Sequence, residues 1–590
     1  MTRLAKLETS PNPIFTRENR LLLDGEWAFA FDSGNVGYQQ KWQDGDAFPQ
    51  TIQVPFVYQA PMSGIGVSDP CSTVWYRRTV TLPESMRDRM VFLHFGAVDY
   101  HATIWVNGQL AGTHCGGYSS FRVDITGLLL QDGENTITVR AYDDDYGKAQ
   151  IRGKQLWADP PFGCWYTRYT GIWQSVWLEA VSPLHIQHFS VVPLTDTKEI
   201  AVKAVLDGYV PSDDVLLEAE VFYEDEPVAL GRIRVEDACP GMTFSVASAR
   251  FPFEGVAFWT PAHPHLYTMT LRVCKQNAVT DEVDTYFGMR KLEASSGRVL
   301  LNNFPYYQKL ILNQGYYPEG FITPENDERI RTDIQLIKNM GFNGMRIHQK
   351  IESGRFLYWC DRLGVVVWEE IPSMYAYEDS QEQQILDEML QIVRRDINHP
   401  CIFTWVLFNE SWGVTRIRQN LKQQRLTLSA YYAVKAMDPS RFVISNDGWE
   451  HTKSDLCTLH DYAATGEEIL ALHEREDWKR IGGNPWAQKR RKVFAEGYAY
   501  EGQPYLLSEY GGISFTTDNG WGYNAKVDSE ESFFVRFGAL TNAVQSLPHV
   551  EGYCYTQFTD VEHEQNGLYT IDRHPKVSPE KVADINRQSR

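Results

Sequence analysis

The sequence predicts a multidomain protein, two antiparallel β-sandwiches followed by a C-terminal (β/α)8 TIM barrel. Three observations carry this reading. Short apolar–polar alternation broken by Gly, Asp and Pro fills the first half of the chain. Near residue 291 the pattern switches to apolar runs alternating with segments of helical period. The length of 590 residues exceeds what one core organises, and roughly three or four domains are expected.

The first sandwich is placed at 1–182, on runs such as ATIWVNG at 102–108, NTITVRAY at 135–142 and QSVWLEAV at 174–181. A smaller unit of the same style (HIQHFSVVPL, VLLEAEVFY, TMTLRVC) follows at 183–290 and has the size of one immunoglobulin-like domain. The barrel is placed at 291–590. Its eight expected strands are 308–315, 341–348, 364–370, 401–408, 441–447, 455–461, 504–508 and 551–558. Helices are expected at 326–340, after a Thr323-Pro324 start signal, and at 352–363. No GxGxxG or GxxxxGK[ST] follows any strand, which argues against a nucleotide-binding doubly wound sheet.

Composition narrows the function. Seventy-six acids against 56 bases give a net charge of −20, which argues against nucleic acid and anionic membranes as partners. The nine cysteines form no CxxC pair and no metal-ligand spacing; their odd number and spread suggest a reducing compartment. No run approaches about 18 apolar residues, and the N-terminal MTRLAKLETSPNPIF has no apolar signal segment. A cytoplasmic location is therefore expected. The 17 Trp, 31 Tyr and 29 Phe suit an enzyme that stacks sugars, and equally a large β core.

The chemistry concentrates in two glutamates. Glu410 in WVLFNESW and Glu509 in YLLSEYGG each follow a short apolar run of the kind that forms a buried parallel strand. The C-terminal ends of such strands carry the catalytic groups of a (β/α)8 barrel. The fourth and seventh ends face each other across the mouth, where two carboxyl groups can sit about 5 Å apart, the spacing of a retaining glycosidase. Asn409 could hold a sugar 2-hydroxyl, and the Tyr510 phenol could orient a neighbouring nucleophile. The acid is expected to have a raised pKa and the nucleophile an ordinary one.

These segments resemble glycoside hydrolase family 2, the β-galactosidase and β-glucuronidase family. RDINHPCIFTWVLFNES at 395–411 is similar to its acid/base signature, LSEYGG at 507–512 to its nucleophile motif, and YTRYTGIWQSVWLE at 166–179 to the end of its sugar-binding jelly roll. The resemblance spans the chain, in the compact three-domain form of bacterial β-hexuronidases. It implies a jelly roll at the N-terminus, Glu410 as acid/base, Glu509 as nucleophile, no cofactor and no metal. A small-molecule or oligosaccharide substrate follows; homo-oligomerisation stays open.

Around that pair the sequence departs from the family. Where relatives carry Arg-x-x-His-Tyr-Pro, this chain has Arg346, Gln349, Lys350 and Ile351, with a histidine at His348 instead. Arg346 either supports the nucleophile or pairs with a buried acid, and Lys350 adds a charge near the rim. His460, Asp461 and Tyr462 follow the sixth strand as candidates to face substrate. Trp521 is a candidate stacking ring, and Tyr555 or Gln557 stands where relatives place a platform tryptophan. The Asn-x-Lys that holds a glucuronide carboxylate in relatives is replaced by Glu564 and Asn566. Lys350, Arg573 and Lys576 are alternative cations for an acidic sugar. The expected activity is retaining exo-β-glycosidase, on a β-galacturonide or β-glucuronide, with a β-galactosidase or a catalytically silent carbohydrate-binding protein as alternatives.

Overall fold

The structure is a computed structural model and describes residues 2–45, 48–211, 213–251, 255–474, 491–514 and 520–588. The first domain pairs a four-stranded sheet (20–22, 176–181, 90–95, 121–124) with a six-stranded sheet (50–54, 25–31, 73–81, 134–142, 101–106, 109–115). Both are antiparallel throughout. Alternation decides which face is buried: in the strand Glu134–Tyr142, Asn135, Ile137, Val139 and Ala141 face inward. The second domain packs a three-stranded sheet (185–194, 199–207, 241–245) on a four-stranded one (226–234, 215–223, 267–275, 278–287). The N-terminal arm crosses between domains. Buried Arg17 bonds Glu179 of the first sandwich at 2.9 Å and Asp281 of the second at 2.9 Å, while Glu8 and Ser10 carbonyls accept from Arg355 in the third domain.

The third domain is the expected barrel. Its strands are β1 (Gln308–Asn313), β2 (Gly344–Ile347), β3 (Val366–Glu370), β4 (Ile402–Val406), β5 (Phe442–Ile444), β6 (Cys457–Asp461), β7 (Tyr505–Gly511) and β8 (Val550–Thr556). They run parallel in the order β5-β4-β3-β2-β1-β8-β7-β6, a nearly closed ring. Helices α1 (Asp327–Asn339), α2 (Gly354–Leu363), α3 (Glu382–Asp396), α4 (Leu421–Met437), α5 (Gly466–His473), α6 (Glu530–Ser546) and α7 (Pro579–Arg587) surround it. One unit departs from the repeat: residues 445–456, between β5 and β6, contain no helix. Helix α1 begins within one residue of the expected 326, capped by the Asn326 side-chain oxygen, which accepts from Arg329 N at 3.0 Å. Thr323 donates to the Trp173 carbonyl of the first domain at 2.7 Å. A small three-stranded sheet (292–295, 298–301, 304–305) lies at the N-terminal end of the barrel, where Val299 N donates to Glu551 of β8. No helix among the described residues is long and apolar enough to cross a membrane.

Candidate active site

Glu410 and Glu509 meet at the C-terminal mouth of the barrel with His460 between them. One donor atom of each of the three lies within 4.8 Å of the others. His460 Nδ1 is 2.8 Å from Glu410 Oε1 and 3.5 Å from Glu509 Oε2, and its Nε2 is 3.1 Å from Asp447 Oδ2. With a carboxylate at each nitrogen, the ring binds protons at both. Burial lowers its pKa, but Glu509 and Asp447 outweigh that and push it up to about 10. His460 is therefore an imidazolium at neutral pH, with both ring nitrogens donating to carboxylates. Gly448 makes room for it: with φ +90°, an added Cβ would stand 2.8 Å from the ring.

Arg346, at the end of β2, is the second cation. Nη1 bonds Glu509 at 2.6 Å; Nη2 bonds Glu370 at 2.8 Å, Asp447 at 3.0 Å and the Asn409 side-chain Oδ1 at 2.8 Å. Arg346 thus touches Glu509 and the buried acids Glu370 and Asp447 together. Although burial pushes the Asp447 carboxyl up, Arg346 and His460 hold it well below the carboxylate range. Glu370 is raised to about 8, burial outweighing Arg346. Burial favours protonated Glu509 and Glu410, yet His460 leads the opposing groups and both pKa values end below their ordinary value. The raised pKa expected for Glu410 is thus absent, because a charged histidine donates to it.

The backbone aims Glu410. Glu410 and Ser411 have φ of 51° and 61°, the left-handed region. The bend is fixed by Glu410 N donating to the Asp447 carbonyl at 3.0 Å and Ser411 N to the Asn446 side chain at 2.9 Å. Glu509 needs no such bend, because β7 runs through it to Gly511.

Of the other predicted residues, Tyr462 lies closest to the pair: its hydroxyl donates to Glu509 and lies 3.2 Å from Thr556 Oγ1. Its ring stacks on Tyr523 at 3.6 Å, and Trp521 packs edge-on against Tyr523 at 4.7 Å. Asn409 is committed to Arg346, and neutral His348 to Glu370 at 2.9 Å. The Gln557 side-chain oxygen accepts from Gln314 at 2.8 Å, while its buried Nε2 has no partner among the described residues. Glu564 accepts from Tyr166 of the first domain at 2.5 Å and from Asn566 at 3.1 Å.

Five further residues depart from expectation. Strand alternation turns Tyr510 and Tyr555 outward: Tyr510 bonds Thr541 of α6 at 2.9 Å, and the Tyr555 ring packs on Phe537 of the same helix at 5.0 Å. The phenol that reaches Glu509 is Tyr462. Lys350 is no rim charge; it is buried against Glu352 at 2.6 Å and the Gly315 carbonyl at 2.8 Å. Arg573 and Lys576, the other proposed cations, are paired with Asp333 and Asp560 at 2.7 and 2.8 Å.

The first domain completes the mouth. A wall of half-buried rings beside Glu410 joins its Trp157 and Trp165 to Tyr375 and Trp412 of the barrel, with centroids 4.3 Å (Trp157–Tyr375) and 5.4 Å (Trp165–Trp412) apart. Sequence reading missed these rings, as it missed Glu370, Asp447 and Lys154.

Comparison with known proteins agrees with this architecture. Residues 21–181 match "Glycosyl hydrolases family 2, sugar binding domain", 184–290 match "Glycosyl hydrolases family 2", and 325–582 match "Glycosyl hydrolases family 2, TIM barrel domain". The chain belongs to glycosyl hydrolases family 2. This family 2 glycoside hydrolase is 24% identical to a β-glucuronidase of Paenibacillus borealis, over 96% of each chain. It is 29% identical to a β-galactosidase of Thermoanaerobacter pseudethanolicus, over 57% of this chain and 44% of that one. Its fold matches the crystal structure of Ruminococcus gnavus β-glucuronidase with a TM-score of 0.78 at 20% identity, covering 97% of this chain and 98% of that one. The same R. gnavus protein has been solved in complex with D-glucuronic acid.

Proposed function

We propose that this family 2 enzyme, with working domain limits of 1–182, 183–290 and 291–590, is a retaining exo-β-hexuronidase. Its substrate is a terminal β-linked glucuronide or galacturonide. The approach of Glu410 and Glu509, with one oxygen of each within 4.8 Å, carries the reading. That gap suits direct attack and is shorter than the roughly 6.5–9.5 Å of an inverting pair. Glu509, ionised and held by Arg346 and Tyr462, attacks the anomeric carbon as Glu410 protonates the departing oxygen. Glu410 then takes a proton from a water whose oxygen attacks the anomeric carbon and displaces the Glu509 carboxylate, which releases the sugar with its β configuration. An acidic substrate also accounts for Glu410 being ionised in the free protein, since a sugar carboxylate entering the cleft raises a nearby carboxyl pKa.

A second reading, β-galactosidase, is favoured by Glu564 and Asn566 standing where a carboxylate-binding Asn-x-Lys would be, and by the likeness to the Thermoanaerobacter enzyme. A panel of nitrophenyl β-glucuronide, β-galacturonide, β-galactoside and β-glucoside separates the two. The hexuronides are expected to be cleaved best, with the β-anomer formed first by proton NMR. An α-anomer as first product would end the double-displacement reading, and turnover of neutral sugars alone would end the hexuronide one.

A further inference from the structure

The hexuronide reading requires a cation free to meet a carboxylate, and each barrel residue considered for that role is already bound. Arg346 serves Glu509, Glu370 and Asp447; Lys350, Arg573 and Lys576 each hold a buried acid. The loop after β8 offers Glu564 and Asn566, which bond each other.

Lys154 belongs to the first domain, yet its neighbours pin it over the barrel mouth. On one side Arg152 N and Gly153 N both donate to the Ser373 carbonyl at 3.0 Å, and Tyr375 donates to the Gly153 carbonyl at 2.6 Å. Gly153 approaches so closely, at φ +60°, that a Cβ would stand 2.3 Å from the Gln349 carbonyl just past β2. On the other side the Lys154 carbonyl accepts from Tyr166 N at 2.8 Å, and the Tyr166 hydroxyl reaches Glu564 beyond β8. Lys154 is thus suspended between the β2–β3 side of the mouth and the β8 side.

The residue is only 7% exposed, and among the described residues its ammonium forms no ion pair, meeting the Cys164 thiol instead of a carboxylate. Buried lysines ordinarily pair or lose their proton. Here burial is opposed by Cys164, Glu564, Glu509 and Glu410, and the charge is retained. The cation is felt across the whole site, since it also helps to keep His348 neutral and Glu410 ionised.

We propose that Lys154, delivered to the barrel by the first domain, binds the carboxylate of the acidic sugar and is the specificity-determining residue of the enzyme. This rests on the hexuronide reading and names the group that reading requires. Lys154 would supply the charge that relatives draw from an Asn-x-Lys on the barrel itself, and the sugar carboxylate would become its missing counter-ion.

The test is the ratio of kcat/KM for nitrophenyl β-hexuronide to that for the matching neutral hexoside, measured in wild type, Lys154→Met, Lys154→Gln and Lys154→Arg. Thermal melts of each variant identify any that fail to fold. Loss of a charge-assisted hydrogen bond predicts that the ratio drops about 100-fold in Lys154→Met and Lys154→Gln and recovers to within about tenfold in Lys154→Arg. A ratio within about threefold of wild type in either folded neutral variant overturns the assignment and leaves the hexuronide reading standing. Wild type that cleaves neutral hexosides alone overturns both.

Discussion

At the residue scale the site is a charge network with two cations at its centre. Arg346→Met leaves Glu370, Asp447 and Glu509 buried around an apolar side chain, with His460 the cation remaining beside the last two. Breaking such a network is expected to cost about 3–5 kcal/mol in denaturant unfolding, and a loss under about 1 kcal/mol would show that the acids simply take up protons. His460 makes stability depend on pH. Its pKa of about 10 in the folded protein lies above the unfolded value, so its contribution is complete below the unfolded pKa, about 6.5, and is lost as pH rises to about 10. His460→Asn should flatten the fall in Tm across that window; an unchanged slope would place the decline elsewhere. The depressed Glu410 predicts an activity signature. The alkaline limb of kcat/KM, which reports the free enzyme, should lie at lower pH than that of kcat on a hexuronide, and coincident limbs would contradict substrate-induced protonation. Glu410 and Glu509 were legible because each follows an apolar run. The same signal marks Glu370, after Val365–Trp368, and Asp447, in RFVISND, and there it went unread. Tyr510 and Tyr555 were misplaced because a strand shows its alternation only once one neighbour's direction is known.

At the element scale the barrel strands were legible because buried parallel strands are continuous apolar runs, and their ends supplied the site. The connection from β5 to β6 was less so. It forms a hydrogen-bonded knot in place of a helix: Ser445 and His451 meet Ser454 at 3.0 Å each, and Asn446 holds Ser411 Oγ at 3.0 Å. Short polar residues favour such local bonds over helix, so the segment that lost its helix is the one that holds Asp447 and the turn of Glu410. Helix caps behave more regularly. Ser529 begins α6 with a reciprocal capping box to Ser532. Ser529→Ala should cost about 1 kcal/mol by urea unfolding, and no measurable change would mean that α6 is held by packing alone.

At the scale of the whole molecule the first domain shares the mouth of the barrel. Tyr166, Trp165 and Lys154 reach the mouth of a barrel that begins over a hundred residues later, and contacts of that separation leave no local trace in a sequence. Residues 291–588 expressed alone should lack glycosidase activity; an active, folded barrel would show that the loop from Lys154 to Tyr166 is dispensable. That loop has a kinetic consequence. Because it spans the mouth from the β3 side to the β8 side, a polymer cannot lie across the cleft and must enter by its terminus. At equal mass concentration, longer chains offer fewer termini, so the initial rate on acidic oligosaccharides should fall in inverse proportion to their length.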